Sequence, residues 1–98
     1  MKIIDVECLI VDKLYPYVVI QTDEGITGFG ECFRRAPFVT KAAIETVYKD
    51  ILIGADPLEI SNIWHKLFNA SSVAGPYGSL LTAVSGIDTA LWDIKLKE

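Results

Sequence analysis

The chain has 98 residues, 51% of them hydrophobic, with nine Lys and Arg against thirteen Asp and Glu for a formal net charge of −4. That is one domain with enough apolar material for a core, which excludes intrinsic disorder. The acidic balance and the absence of any long Lys/Arg run exclude a nucleic-acid footprint and adhesion to anionic membrane.

From Lys2 to Val11 the residues alternate, with Ile4, Val6, Cys8 and Ile10 on one side and Asp5 and Glu7 on the other. This is a period-two strand with one wet face, over residues 2–11. The same run, MKIIDVECLIV, has acidic residues inside its apolar stretch and lacks the order of a signal peptide. No window approaches the roughly eighteen apolar residues of a membrane span, so no membrane association and a cytoplasmic location are expected. Asp12 to Pro16 is a short connection, and Tyr17–Thr22 is β-branched and aromatic, a second strand over 17–22.

Asp23-Glu24-Gly25 makes a tight reversal, because Gly in its third place accepts positive φ. Residues 26–32 return as a third strand, in which Gly28 and Gly30 alternate with Phe29 and leave one face bare. Such bareness predicts the close approach of a helix or another backbone. Cys8 and Cys32, the whole cysteine inventory, read first as buried reduced thiols, with a disulfide or metal role left open.

Helical periodicity begins after FRRAPF. Val39, Ala43, Val47 and Ile51 share a stripe flanked by Ile44 and Tyr48, a helix over 38–52 closed by Gly54. Asp56-Pro57-Leu58-Glu59 reads as cap, first turn and capping box of a helix over 57–68, with Leu58, Ile63, Trp64, Leu67 and Phe68 buried. Asn69 to Gly78 reads as a loop. Ser79 then caps a helix over 79–95 that carries Leu80, Val84, Ile87, Leu91 and Ile94. Three strands followed by three helices predict an α+β fold, an antiparallel meander followed by a three-helix bundle in a single domain, 1–98.

Little chemistry is legible. His65, the only histidine, sits in a helix with no second ligand at helical spacing, which reads as structural. Gly25, Gly28 and Gly30 lie on a hairpin with no βαβ unit, so they are no dinucleotide fingerprint. GPYG, residues 75–78, lacks the Lys and Ser/Thr of a phosphate loop. Asp88 reads as a hydrogen-bond acceptor tying its helix to neighbouring backbone. Arg34 and Arg35 are the best functional candidates: a guanidinium fork matches a carboxylate, and they sit in a loop at a strand end.

Three segments, VVIQTDEGITGFGEC, GADPLEISNIWHKLF and SGIDTALWDIK, resemble in order and spacing the N-terminal capping domain of the enolase superfamily. The likeness is to the mandelate racemase and muconate lactonizing enzyme branch, over essentially the whole chain. It implies a cap over the C-terminal end of a (β/α)8 barrel, which carries the chemistry. There a lysine or histidine removes the proton α to a carboxylate, and Mg²⁺ bound by the barrel stabilises the enediolate. The catalytic barrel, the catalytic residues and the metal ligands are absent from these 98 residues. Lys95-Leu96-Lys97 is superficially similar to the branch's catalytic Lys-x-Lys, but it directly follows the ALWDIK helix, where relatives read Lys-Gly-Lys.

By this resemblance, the loops near residues 12–17 and 32–38 select substrate, through Leu14, Tyr15, Arg34 and Arg35. The short first loop and the GPYGS run favour an acid-sugar substrate and a dehydratase, or a related racemase or cycloisomerase. The implied partners are the barrel of the parent enzyme, a small carboxylate or acid-sugar substrate, and further copies in a homo-oligomer. The alternative is a free-standing, self-associating module derived from such a cap.

Overall fold

The computed structural model describes residues 1–32, 37–74 and 78–98, with backbone alone for 71–74 and 78–81. Strands β1 (Ile3–Val11), β2 (Tyr15–Thr22) and β3 (Thr27–Glu31) form an antiparallel sheet in the order β1-β2-β3. Helix α1 (Pro37–Ala43) passes through a π-helical stretch, Ile44–Tyr48, into α2 (Lys49–Leu52). Helices α3 (Ile60–Ala74) and α4 (Gly78–Lys97) follow. The architecture is the α+β meander with trailing helices that the sequence predicts.

In register, Cys8 stands opposite Val18, and Val18 opposite Gly30. Val6, Cys8, Val18 and Ile20 are fully buried beneath the helices. The alternation fails at one place. A register shift between Ile3 and Asp5 turns Ile3 into the core and leaves Ile4 54% exposed. An inserted residue reverses every inside–outside assignment before it, which pattern reading cannot anticipate.

Helix α4 lies against β3. A Cβ on Gly28 would overlap the Ala90 carbonyl, and one on Gly30 would overlap the backbone of Gly86 and Ala90. The bare face predicted for β3 is therefore the seat of a helix. Ala83, Val84, Ile87, Ala90, Leu91 and Ile94 bury the inner side of α4.

The helices correct three expectations. The first helix buries Thr40, Ala43, Ile44, Tyr48 and Leu52, while Val39 and Val47 are exposed. The buried series 40, 44, 48 and 52 keeps the four-residue step of the expected stripe but is displaced from it by one residue, about 100° around the helix. Helix α3 begins at Ile60, not 57: Asp56 Oδ1 accepts the Leu58 N–H at 3.0 Å, and the Asp56 carbonyl accepts the Glu59 N–H at 3.1 Å. Asp56 thus closes a turn ahead of the helix, and the first helical bond runs from the Ile63 N–H to the Glu59 carbonyl. The same helix continues to Ala74 through residues read as loop, because no Gly or Pro interrupts 69–74 and Gly75-Pro76 follows.

Ile63 and Leu67 are buried, but Trp64 and Phe68 are 40% and 42% exposed and stack on each other with ring centroids 5.0 Å apart. Each follows a buried residue by one position, about 100° around the helix and off the core. Helix α4 starts at Gly78, one residue before the expected cap, and the side chains of Ser79 and Leu80 lie outside the described residues.

Candidate functional site

Strands β1 and β3 both run antiparallel to β2, so the β1–β2 turn and the exit from β3 share one end of the sheet. The turn is tight. Asp12 and Lys13 both have positive φ, 54° and 62°, and the Leu14 N–H donates to the Val11 carbonyl at 3.1 Å. Paired positive φ angles are those of a type I′ hairpin turn, whose twist suits the strands but strains residues other than Gly, Asn and Asp, here Lys13. Leu14, half exposed, stands at this tip, and Tyr15, part buried, begins β2.

The Cys32 N–H donates to the Pro16 carbonyl at 2.9 Å, which fastens the exit of β3 beside Tyr15. Arg34 and Arg35 lie outside the described residues. Gly86 of α4 packs on Cys32 and Ala90 on Gly28, so α4 runs antiparallel to β3 with its N-terminal half toward the same end. Its start at Gly78 is eight residues upstream of Gly86, about 12 Å along a helix axis. The first loop, the end of β3 at Cys32 and the N-terminal half of α4 therefore lie toward one end of the domain.

The remaining candidates fall elsewhere. His65 is exposed on α3, edge-on to Trp64 at 5.7 Å. Asp88 has no hydrogen-bond partner among the described residues, and burial pushes its carboxyl above the ordinary value. The tie expected of it is made by Asp93, whose Oδ2 accepts the Phe29 N–H at 2.9 Å. Asp93 occupies the turn of α4 facing the edge of β3, a position that helical periodicity alone does not identify.

Lys97 donates to the Thr27 carbonyl at 2.8 Å and pairs with Asp93, and Lys95 lies 4.9 Å over the Trp92 ring. Both lysines of that triplet are thus held by local partners. A groove of about 300 Å³ runs between the start of α3 and Trp92 and Lys95. It lies toward the C-terminal end of α4, away from the turn. Cys8 and Cys32 are free and buried. Burial pushes the Cys8 thiol up and the Cys32 thiol up to about 12, so neither is a nucleophile near neutral pH.

Among the described residues no three His, Cys, Asp or Glu side chains gather to hold a metal ion, so those residues do not fit the magnesium that the family implies. Nor is any described helix long and apolar enough to cross a membrane.

The family described as mandelate racemase / muconate lactonizing enzyme, N-terminal domain, matches residues 10–98. The chain belongs to that family. It is 48% identical over 85 residues to D-galactarolactone cycloisomerase of Agrobacterium fabrum, covering 87% of this chain and 22% of that protein. It is 40% identical over 98 residues to D-galactonate dehydratase of Pectobacterium atrosepticum, covering 99% and 25%. An enolase from Agrobacterium radiobacter, crystallised with sodium and L-malate, superposes with a TM-score of 0.87 at 30% identity, covering 99% of this chain and 25% of that one. The chain thus spans about a quarter of the length of the curated relatives it matches. As an enolase-superfamily N-terminal domain it contains no (β/α)8 barrel, and the resemblance read from the three sequence segments is correct.

Proposed function

We propose that this domain caps the barrel of an acid-sugar dehydratase or cycloisomerase that removes the proton α to a carboxylate. In this reading the turn end of the sheet faces the mouth of the barrel. Leu14 and Tyr15 bound the substrate from the first loop, and Arg34 and Arg35 pair with its carboxylate or hydroxyls from the second. The N-terminal end of α4 adds the positive end of a helix dipole on the same side, which favours an acidic ligand. Proton abstraction, and any magnesium that stabilises the resulting charge, belong to the barrel, so the domain is inert alone and its role is to select and enclose.

The observation that carries this reading is the convergence of the β1–β2 turn and the β3 exit on one sheet end, fastened by the Cys32–Pro16 bond. The relatives act on D-galactonate and D-galactarolactone by name, which supports a sugar-acid substrate.

The test exchanges this chain for the cap of the D-galactonate dehydratase relative. The 98 residues alone turn over neither D-galactonate nor D-galactarolactone, whereas the exchanged enzyme acts on a sugar acid. Arg34→Ala or Arg35→Ala raises KM about tenfold, the loss of one charge-assisted hydrogen bond of roughly 1.5 kcal/mol. Turnover by the chain alone, or an unchanged KM in both arginine variants, overturns the proposal.

A further inference from the structure

Both outer strands of this sheet carry backbone groups that β2 does not use, and each is met by an acid–lysine pair on a helix. On β1, Glu45 Oε2 accepts the Cys8 N–H at 3.1 Å while Lys41 Nζ donates to the Cys8 carbonyl at 2.6 Å. Lys41 and Glu45 are themselves paired at 2.9 Å, four residues apart. One turn on, Lys49 pairs with Asp5 at 2.9 Å, and Asp5 Oδ1 accepts the Val6 N–H at 2.9 Å.

The β3 edge repeats the device. Asp93 Oδ2 accepts the Phe29 N–H at 2.9 Å, Lys97 Nζ donates to the Thr27 carbonyl at 2.8 Å, and the two side chains pair at 2.8 Å. Lys97 also lies 4.8 Å over the Phe29 ring. In each case the carboxylate takes the N–H and the ammonium takes the C=O. These are the two groups an added strand would need.

An unpaired sheet edge is a template for another strand, and strand addition is a common mode of partner capture. We propose that the Lys41–Glu45 and Asp93–Lys97 pairs are closures that occupy Cys8 on the β1 edge and Thr27 and Phe29 on the β3 edge and bar strand addition there. A partner strand must displace a charge-assisted bond at each position.

The probe is a labelled synthetic peptide of residues 17–22, YVVIQT, whose sequence already pairs with both outer strands. Fluorescence anisotropy with the 98-residue chain shows no binding, and the Glu45→Ala, Asp93→Ala double variant binds at least tenfold tighter. Glu45→Gln with Asp93→Asn keeps an acceptor oxygen at each site and stays closed. Native-state hydrogen exchange of the unaltered chain gives a second reading that no variant can spoil. The Cys8 and Phe29 amides are protected at least tenfold over freely exposed amides. Equal peptide binding by the unaltered chain and a folded double variant overturns the proposal. Unprotected Cys8 and Phe29 amides in the unaltered chain do the same.

Discussion

Glycine serves this chain for two unrelated reasons, and single substitutions separate them. At Gly30 the backbone is ordinary, but α4 leaves no room: a Cβ would overlap the Gly86 carbonyl and the Ala90 nitrogen. Backbone atoms of a packed helix cannot rotate aside, so the helix has to lift from the sheet. Gly30→Ala is expected to cost at least about 3 kcal/mol, the upper end of overpacking losses. At Gly25 nothing stands within 4 Å of a Cβ, but φ is +78°. Gly25→Ala therefore meets only the left-handed penalty of about 1–2 kcal/mol. Urea unfolding followed by tryptophan fluorescence ranks the two. An equal or smaller loss at Gly30 would contradict the seating of α4 on β3.

The helices hold the sheet through charge as well as packing, which gives acid unfolding a definite sign. The Lys97 hydrogen bond, then the Phe29 N–H, hold Asp93 below the ordinary carboxylate range. The Lys49 hydrogen bond lowers Asp5 against some burial, with help from the Val6 N–H. Burial pushes Glu45 up, but the Lys41 and Cys8 hydrogen bonds outweigh it and leave the carboxyl lowered. All three bind protons less readily when folded, so their contribution is present above the ordinary carboxylate values and is lost as pH falls through the lowered ones. Asp88, raised by burial, works in the opposite direction and is outnumbered. Lys41→Met with Lys97→Met should be less stable than the unaltered chain near neutral pH and approach it in acid, measured as urea midpoints across that range. A difference that grows in acid would reverse the sign.

The same elements explain what the sequence makes legible. Alternation and turn glycines report local backbone preference, so the meander, the Gly25 reversal and the inner side of α4 are readable from residues alone. The stripe of α1 is not, because two adjacent rows, 39/43/47/51 and 44/48/52, are both apolar and local pattern does not say which one faces the sheet. The Lys41–Glu45–Lys49 series is plain in the sequence, but it reads as a solvated helix face until β1 is placed beside it. At the candidate site, the turn and the Cys32 tie follow from register. The roles of Arg34 and Arg35 depend on what stands opposite them.

At the scale of the whole molecule, apolar surface remains where the edges do not offer it. By register and alternation Leu9, Val11, Tyr17, Val19 and Phe29 share the outer face of the sheet, where Leu9, Val11 and Phe29 are each about half exposed. Surface of this kind on a 98-residue chain is expected to be adhesive. With both edges occupied, association should proceed by face contact and leave strand content unchanged. Sedimentation velocity of the isolated chain is expected to show concentration-dependent association that sulfate strengthens, as apolar burial requires, with a constant far-ultraviolet circular dichroism spectrum. Leu9→Thr with Phe29→Thr should weaken it at least tenfold, while Lys66→Glu, a charge reversal on exposed α3, changes it little. A chain that stays monomeric in sulfate would show that these side chains cover one another well enough without a partner. Association with a gain in strand signal would instead mean that the edges open.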